Sequence, residues 1–292
     1  AETPGSKATG KGIRDVLEML PWDEAKPFQK MAGLLNYIAV DRPDIQFAVT
    51  VILTDMGKPL VLSMLRAKRC VRYLKGKREL AWVFALQPMP KVVLYETDSD
   101  WADDEVTRKS TSSIFGFFGI HLLETQVASQ PVVALSSGEA EFYAIGRGAA
   151  SAIMMRQFLE QCNIEVKSQV NSDSSAGRAI ANRVGVGRVR HLQIRDLWVQ
   201  ERVREKQLVL GKVSTEENRS DLGTKHLDAG RIRKLLELSH LRFITKGLTA
   251  GVTTLTMAAA VADAAPIEET ACELYQYKDC LLYTSDAADE GH

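Results

Sequence analysis

The chain has 292 residues, 45% hydrophobic and 25% charged, enough to bury one or two ordinary cores and too apolar for a disordered polymer. Basic and acidic residues number 37 each, so the formal net charge is zero, which by itself argues against a uniformly basic nucleic-acid binder. Cysteines at 70, 162, 272 and 280 form no CxxC pair and no spacing with histidine that suits zinc, which argues against a disulfide framework or a structural zinc site.

Residues 1–20 read as an irregular leader. Its GSKATGKG fits GxxxxGK but ends in Gly12 and follows no apolar strand, so it is not read as a phosphate-binding loop. With Ala1 first and no charged-then-apolar leader, the sequence is expected to be a fragment of a longer intracellular protein. Residues 21–90 read as a small helical module. FQKMAGLLNYIA and DIQFAVTVIL carry apolar residues at three- and four-residue spacing, and SMLRAKRCVRYLKG follows Pro59. Within it Arg66, Lys68, Arg69, Arg72 and Lys75 form a basic row that suits either a phosphate backbone or a solvated helix face.

Residues 91–245 alternate strands and helices. Extended stretches at 91–98, 112–121 and 131–136 predict an antiparallel meander, and a helix follows over 138–162 with Phe142, Ile145, Ala149 and Ile153 on one face. A strand at 167–173, a short helix from Ser175, a helix over 192–206, a strand at 207–213 and a terminal helix complete the order. The fold class expected is α/β, a mixed sheet flanked by helices and preceded by the helical module. Residues 246–292 are expected to be a poorly ordered tail. Its 16 uncharged residues between Lys246 and Asp263 fall short of the ~20 that a membrane span needs, so no membrane partner is expected. CLLYTSDAADE, residues 280–290, reads as a translated sequencing adaptor. Residues 263–290 hold eight acids against Lys278, leaving 36 basic and 29 acidic residues elsewhere, a net +7 that fits phosphate-backbone binding.

Four acids stand out by context. Asp98 closes the apolar run KVVLYETD, Glu141 starts the long helix in ALSSGEAEFYAI, Asp173 ends KSQVNSD, and Asp221, in STEENRSDLGTK, is expected at a helix start. Acids at strand ends and helix starts can converge on one sheet edge, where open α/β sheets place their chemistry. Like charges gathered there are costly without a cation. Hard divalent ions take oxygen ligands, and a pair roughly 3.5 to 4 Å apart can activate water and stabilise the leaving oxygen of a phosphodiester. The four acids are therefore expected to bind two Mg²⁺ or Mn²⁺ ions. Asp100, two residues past Asp98, suits either an acid supporting the ligands or a solvated turn.

The strings ETDSDWADDEVTRKSTSSIFGFFG, VVALSSGEAEFYAI and STEENRSDLGTK together resemble the ribonuclease H domain of copia-type retrotransposon Pol polyproteins. FQKMAGLLNYIAVDRPDIQFAV and AKRCVRYLKGKREL resemble the segment joining reverse transcriptase to that domain. The resemblance implies a ribonuclease H-like sheet and ligands at Asp98, Glu141, Asp173 and Asp221. It also implies hydrolysis of the RNA strand of an RNA:DNA hybrid, the reverse transcriptase portion of the same polyprotein as partner, and a cytoplasmic or nuclear setting, including virus-like particles. His191, in GRVRHLQIRD, stands where the family also has His, a place for helix capping or a phosphate contact. The chain departs from the family at LLETQVASQPVV, which lacks the family's Trp and Lys run, and at SSAGR, where Asn-Gln-Ser is usual. The polymerase aspartate pair is absent. A reused hybrid-binding module without turnover shares all four acids. A DDE-type integrase is disfavoured because its Glu comes last, whereas Glu141 is second here.

Overall fold

The computed structural model describes residues 1–6, 17–104, 107–187, 192 and 197–244. Three helices come first: α1 (Trp22–Ala39), α2 (Pro43–Thr54) and α3 (Val61–Gly76). Asp23 and Glu24 sit favourably in the first turn of α1, and Pro43 opens α2, where a missing N–H costs nothing. Phe28, Ala32, Leu35 and Ala39, spaced by three or four, bury one face of α1 against Ile45 and Ile52 of α2 and Met64, Cys70 and Tyr73 of α3. Arg42 and Asp44 form a buried ion pair at 2.7 Å at the start of α2.

The remaining elements are β1 (Leu80–Trp82), β2 (Val92–Asp100), β3 (Thr111–Phe118), β4 (His121–Ser129), α4 (Ser137–Gln161), β5 (Lys167–Ser172), α5 (Ser175–Asn182), α6 (Trp198–Arg204), β6 (Val209–Lys212), a 3₁₀ turn (Arg219–Gly223), α7 (Ala229–Leu238) and β7 (Leu241–Phe243). Five strands form one sheet in the order β4-β3-β2-β5-β6. The meander β2-β3-β4 is antiparallel, and β5 and β6 run parallel to β2. On one face Val93 and Tyr95 meet Phe142, Ile145, Ala149 and Ala152 of α4; Phe115 and Phe117 pack with Leu222 and with Ile232, Leu235 and Leu236 of α7. The protein is thus α/β, a mixed sheet flanked by helices in the expected ribonuclease H-like layout.

Three expectations are corrected. The third strand of the meander is β4, over 121–129, and residues 131–136 form the loop into α4. Gly119, at φ +62°, makes the tight hairpin that starts β4 immediately, whereas Pro131 has no N–H to offer a ladder. Asp221 lies in the 3₁₀ turn, seven residues before Asp228, which caps α7. The helical module gives way to strand β1, which pairs with β7 in register Leu80↔Phe243, a partnership more than 150 residues apart in the chain. Of the helix expected over 192–206, α6 covers 198–204, and residues 193–196 fall outside the described set, as does the tail from 245.

Helix α4 lies unusually close to β2. A Cβ at Gly148 would stand 2.5 Å from Thr97 Cγ2, so only hydrogen fits. Gly148→Val is expected to push α4 off the sheet and cost about 1–3 kcal/mol in urea unfolding. An unchanged unfolding midpoint would contradict this close approach.

Candidate metal centre

Strand register brings the first two acids together. Thr97 of β2 lies beside Ser172 of β5 in a parallel pair, so Asp98, still within β2, and Asp173, just past the end of β5, stand at the same level on adjacent strands. Glu141 arrives from α4, whose N-terminus is capped by Ser136 Oγ accepting from the Glu139 N–H. Glycine again sets the approach, because a Cβ at Gly177 of α5 would fall 2.8 Å from Glu141 Cβ. Oxygens of Asp98, Glu141 and Asp173 lie within 4.8 Å of one another.

Asp98 is 2% exposed and Glu141 6%, and Glu141 Oε2 has no hydrogen-bond partner among the described residues. Burial, then the charges of Asp98 and Asp173, push Glu141 up to about 9. Burial also raises Asp98 to about 7, with Lys225 opposing and Asp221 reinforcing the shift. Asp173 is less enclosed and accepts a hydrogen bond of 2.9 Å from Thr215 Oγ1. Three crowded carboxylates with an orphaned buried oxygen form an all-oxygen donor set that fits a hard divalent cation.

Asp221 stands beside this group, separated by a lysine. Asn218 Nδ2 donates to Thr97 O at 3.2 Å, pinning the 3₁₀ turn on β2. Lys225 Nζ lies 2.6 Å from Asp221 Oδ1 and 3.2 Å from Asp98 Oδ2, and Arg231 Nη2 lies 3.0 Å from Asp221 Oδ2. Thr224 Oγ1 donates to Asp98 Oδ2. Burial disfavours the Lys225 charge, but Asp98 and Asp221 outweigh it and hold the ammonium protonated, its pKa raised. Sequence reasoning missed Lys225, Thr224 and Arg231. The four-residue spacing of Asp221 and Lys225 was a usable signal; nothing local marks Arg231.

Asp100 ends β2 opposite Thr111, outside the group of three. His191 lies outside the described residues. Along α3, Lys68, Arg72 and Lys75 are exposed, whereas Arg66 pairs with Asp55 at 3.6 Å and Arg69 donates to Thr3 Oγ1 at 2.8 Å. The basic row is therefore split between solvent and contacts inside the protein. Among the described residues no helix is long and apolar enough to cross a membrane.

No protein-family model matches the chain. It is 29% identical over 215 residues to the retrovirus-related Pol polyprotein from transposon TNT 1-94 of Nicotiana tabacum, covering 73% of this chain. The Pol polyprotein from transposon RE1 of Arabidopsis thaliana is 27% identical over 203 residues, 68% of this chain. The chain spans only 16% and 14% of the lengths of these two relatives. Among solved structures, LC11-RNase H1 isolated from compost is 16% identical with a TM-score of 0.34, covering 50% of this chain and 99% of that one.

Proposed function

We propose that this chain, which is similar over about two thirds or more of its length to retrovirus-related Pol polyproteins of plant transposons, carries in its mixed sheet and helices a copia-type ribonuclease H domain that hydrolyses the RNA strand of RNA:DNA hybrids. The observation that carries this reading is the convergence of Asp98, Glu141 and Asp173 within 4.8 Å, with a buried oxygen of Glu141 left without a partner among the described residues. Asp98, Glu141 and Asp173 would hold one Mg²⁺ or Mn²⁺, and Asp98 with Asp221 a second. Bound ions supply activation of water and neutralisation of charge on the scissile phosphate and its leaving 3′ oxygen.

The chain's own groups do the rest. Asp98 would serve both ions and is held by the hydroxyl of Thr224, which donates to its Oδ2. Glu141 is kept dry by α4 and α5, so its charge acts at low effective dielectric. Exposed Lys68, Arg72 and Lys75 supply sequence-independent attraction to the phosphate backbone, and selection of RNA rests on the 2′-hydroxyl and groove shape. The partners are the hybrid and the reverse transcriptase portion of the polyprotein, in an intracellular setting such as virus-like particles.

The test uses the full chain with labelled RNA in an RNA:DNA hybrid and with duplex DNA, each with Mg²⁺ or Mn²⁺ and with chelator. Metal-dependent loss of the RNA strand alone is expected. Hybrid binding without cleavage at any metal concentration would instead identify a binding module that has lost turnover.

A further inference from the structure

The two sides of the carboxylate group are unequal. On one side Asp98, Glu141 and Asp173 crowd together around an oxygen that has no hydrogen-bond partner among the described residues. On the other, both oxygens of Asp221 already face cations of the chain, Lys225 at 2.6 Å and Arg231 at 3.0 Å. Lys225 also reaches Asp98, at 3.2 Å from Oδ2. An ammonium bridging two carboxylates at such distances stands where a hard cation bridging them would stand. The two cannot coexist, since like charges at contact repel strongly in a partly buried setting.

Lys225 is able to leave. Its side chain is 37% exposed and ends a flexible four-carbon stem, whereas Asp98 and Asp221 are 3% and 5% exposed and fixed in place. Arg231, 17% exposed and also bonded to the Thr215 and Glu216 carbonyls, is anchored.

We propose that Lys225 is a tethered counter-cation at the Asp98–Asp221 position, so that the protein takes up divalent ions in two unequal steps, the second requiring the ammonium to withdraw into solvent. The inference rests on the metal-centre reading above and adds a positioning residue to it. Before metal arrives, Lys225 holds Asp98 and Asp221 together despite their like charge. Its withdrawal then sets the ion concentration at which the centre is complete.

The test is Mn²⁺ binding to the full chain, counted by titration calorimetry and by the electron paramagnetic resonance signal of free Mn²⁺. Wild type is expected to bind one ion first and a second at least about tenfold more weakly. Lys225→Met keeps the apolar stem and removes the charge, so its second step should strengthen about tenfold or more, while Lys225→Arg should keep it weak. Asp221→Asn should lose the second step alone. Amine acetylation read by mass spectrometry gives a measurement on wild type, with Lys225 protected at one bound Mn²⁺ and labelled faster as the second binds. Two equal steps in wild type, an unchanged second step in Lys225→Met, or labelling indifferent to a second bound ion would each overturn the role of Lys225. Absence of any bound Mn²⁺ in wild type and Lys225→Met alike would instead remove the metal-centre reading on which it rests.

Discussion

Glu141→Gln is expected to abolish metal-dependent cleavage of an RNA:DNA hybrid and, in the same protein, to raise the stability of the metal-free fold at alkaline pH. Glutamine keeps the size of the side chain and removes the charge, so the loss of rate, at least about 10²–10³-fold, comes from a missing ligand and missing electrostatics. The gain in stability has the same origin. Glu141 is buried, its Oε2 lacks a partner among the described residues, and its folded-state pKa is pushed up to about 9 from an ordinary 4.5. Between those values the folded state keeps a proton that the unfolded state gives up. The stability contribution is therefore complete below pH 4.5 and is lost as pH rises through 9.

Asp98, raised to about 7 from 3.8, adds a loss of the same sign over its own window. Urea unfolding in chelator should find wild type weaker at pH 8 than at pH 5, with Glu141→Gln ahead by ~2–4 kcal/mol at pH 8 and nearly level at pH 5. Saturating Mg²⁺ should close the gap at pH 8, because ligation favours the ionised carboxylate. A glutamine variant no more stable than wild type at pH 8 would mean that the oxygen is not stranded as described. Asp98→Asn should remove cleavage equally. It should show less stabilisation, since Asp98 already holds Thr224 and Lys225.

The second large effect concerns what seats Asp221. Glu96 accepts from Arg219 through Nη2 at 2.6 Å, Nε at 2.8 Å and the backbone N–H at 2.9 Å, and the guanidinium lies 3.4 Å over the Phe117 ring. Arg219 opens the 3₁₀ turn, so this pair fastens the turn to the sheet. Glu96→Ala leaves a guanidinium against an aromatic face without its counter-ion and is expected to cost about 3–5 kcal/mol. Replacing both partners, Glu96→Leu with Arg219→Met, should recover most of that loss, because neither charge is then stranded. The single variant should also weaken the second Mn²⁺ step, since the turn that carries Asp221 loses its anchor. A Glu96→Ala protein with wild-type urea midpoint would show that the pair contributes nothing net.

Much of this architecture was legible in the chain itself. The three- and four-residue spacing of Phe142, Ile145 and Ala149 marked the buried face of α4. The apolar run KVVLYETD and the short run KSQVNSD placed Asp98 and Asp173 late in two strands, although β2 runs on to Asp100, and parallel pairing of those strands is enough to make the two neighbours. A helix start at Glu141 completed the trio. These features are local, because burial on one face imposes a period on the sequence and strand ends impose turns.

What stayed hidden depends on partners far along the chain. Residues 131–136 look more like a strand than LLETQVAS does, yet β4 is the latter, because pairing with β3 across the Gly119 hairpin decides where a polar edge strand lies. Strands β1 and β7, three residues each, have no periodicity to read and exist only through each other. Asp221 shares its site with Lys225 and Arg231 because the 3₁₀ turn is pinned to β2 and α7 folds back beside it. Composition and period thus determined the class of fold and the acids near one edge of its sheet. Only tertiary packing decided that Asp98, Glu141 and Asp173 crowd together while Asp221 faces the chain's own cations, because Coulomb partners are chosen by distance in space and leave no periodic trace in sequence.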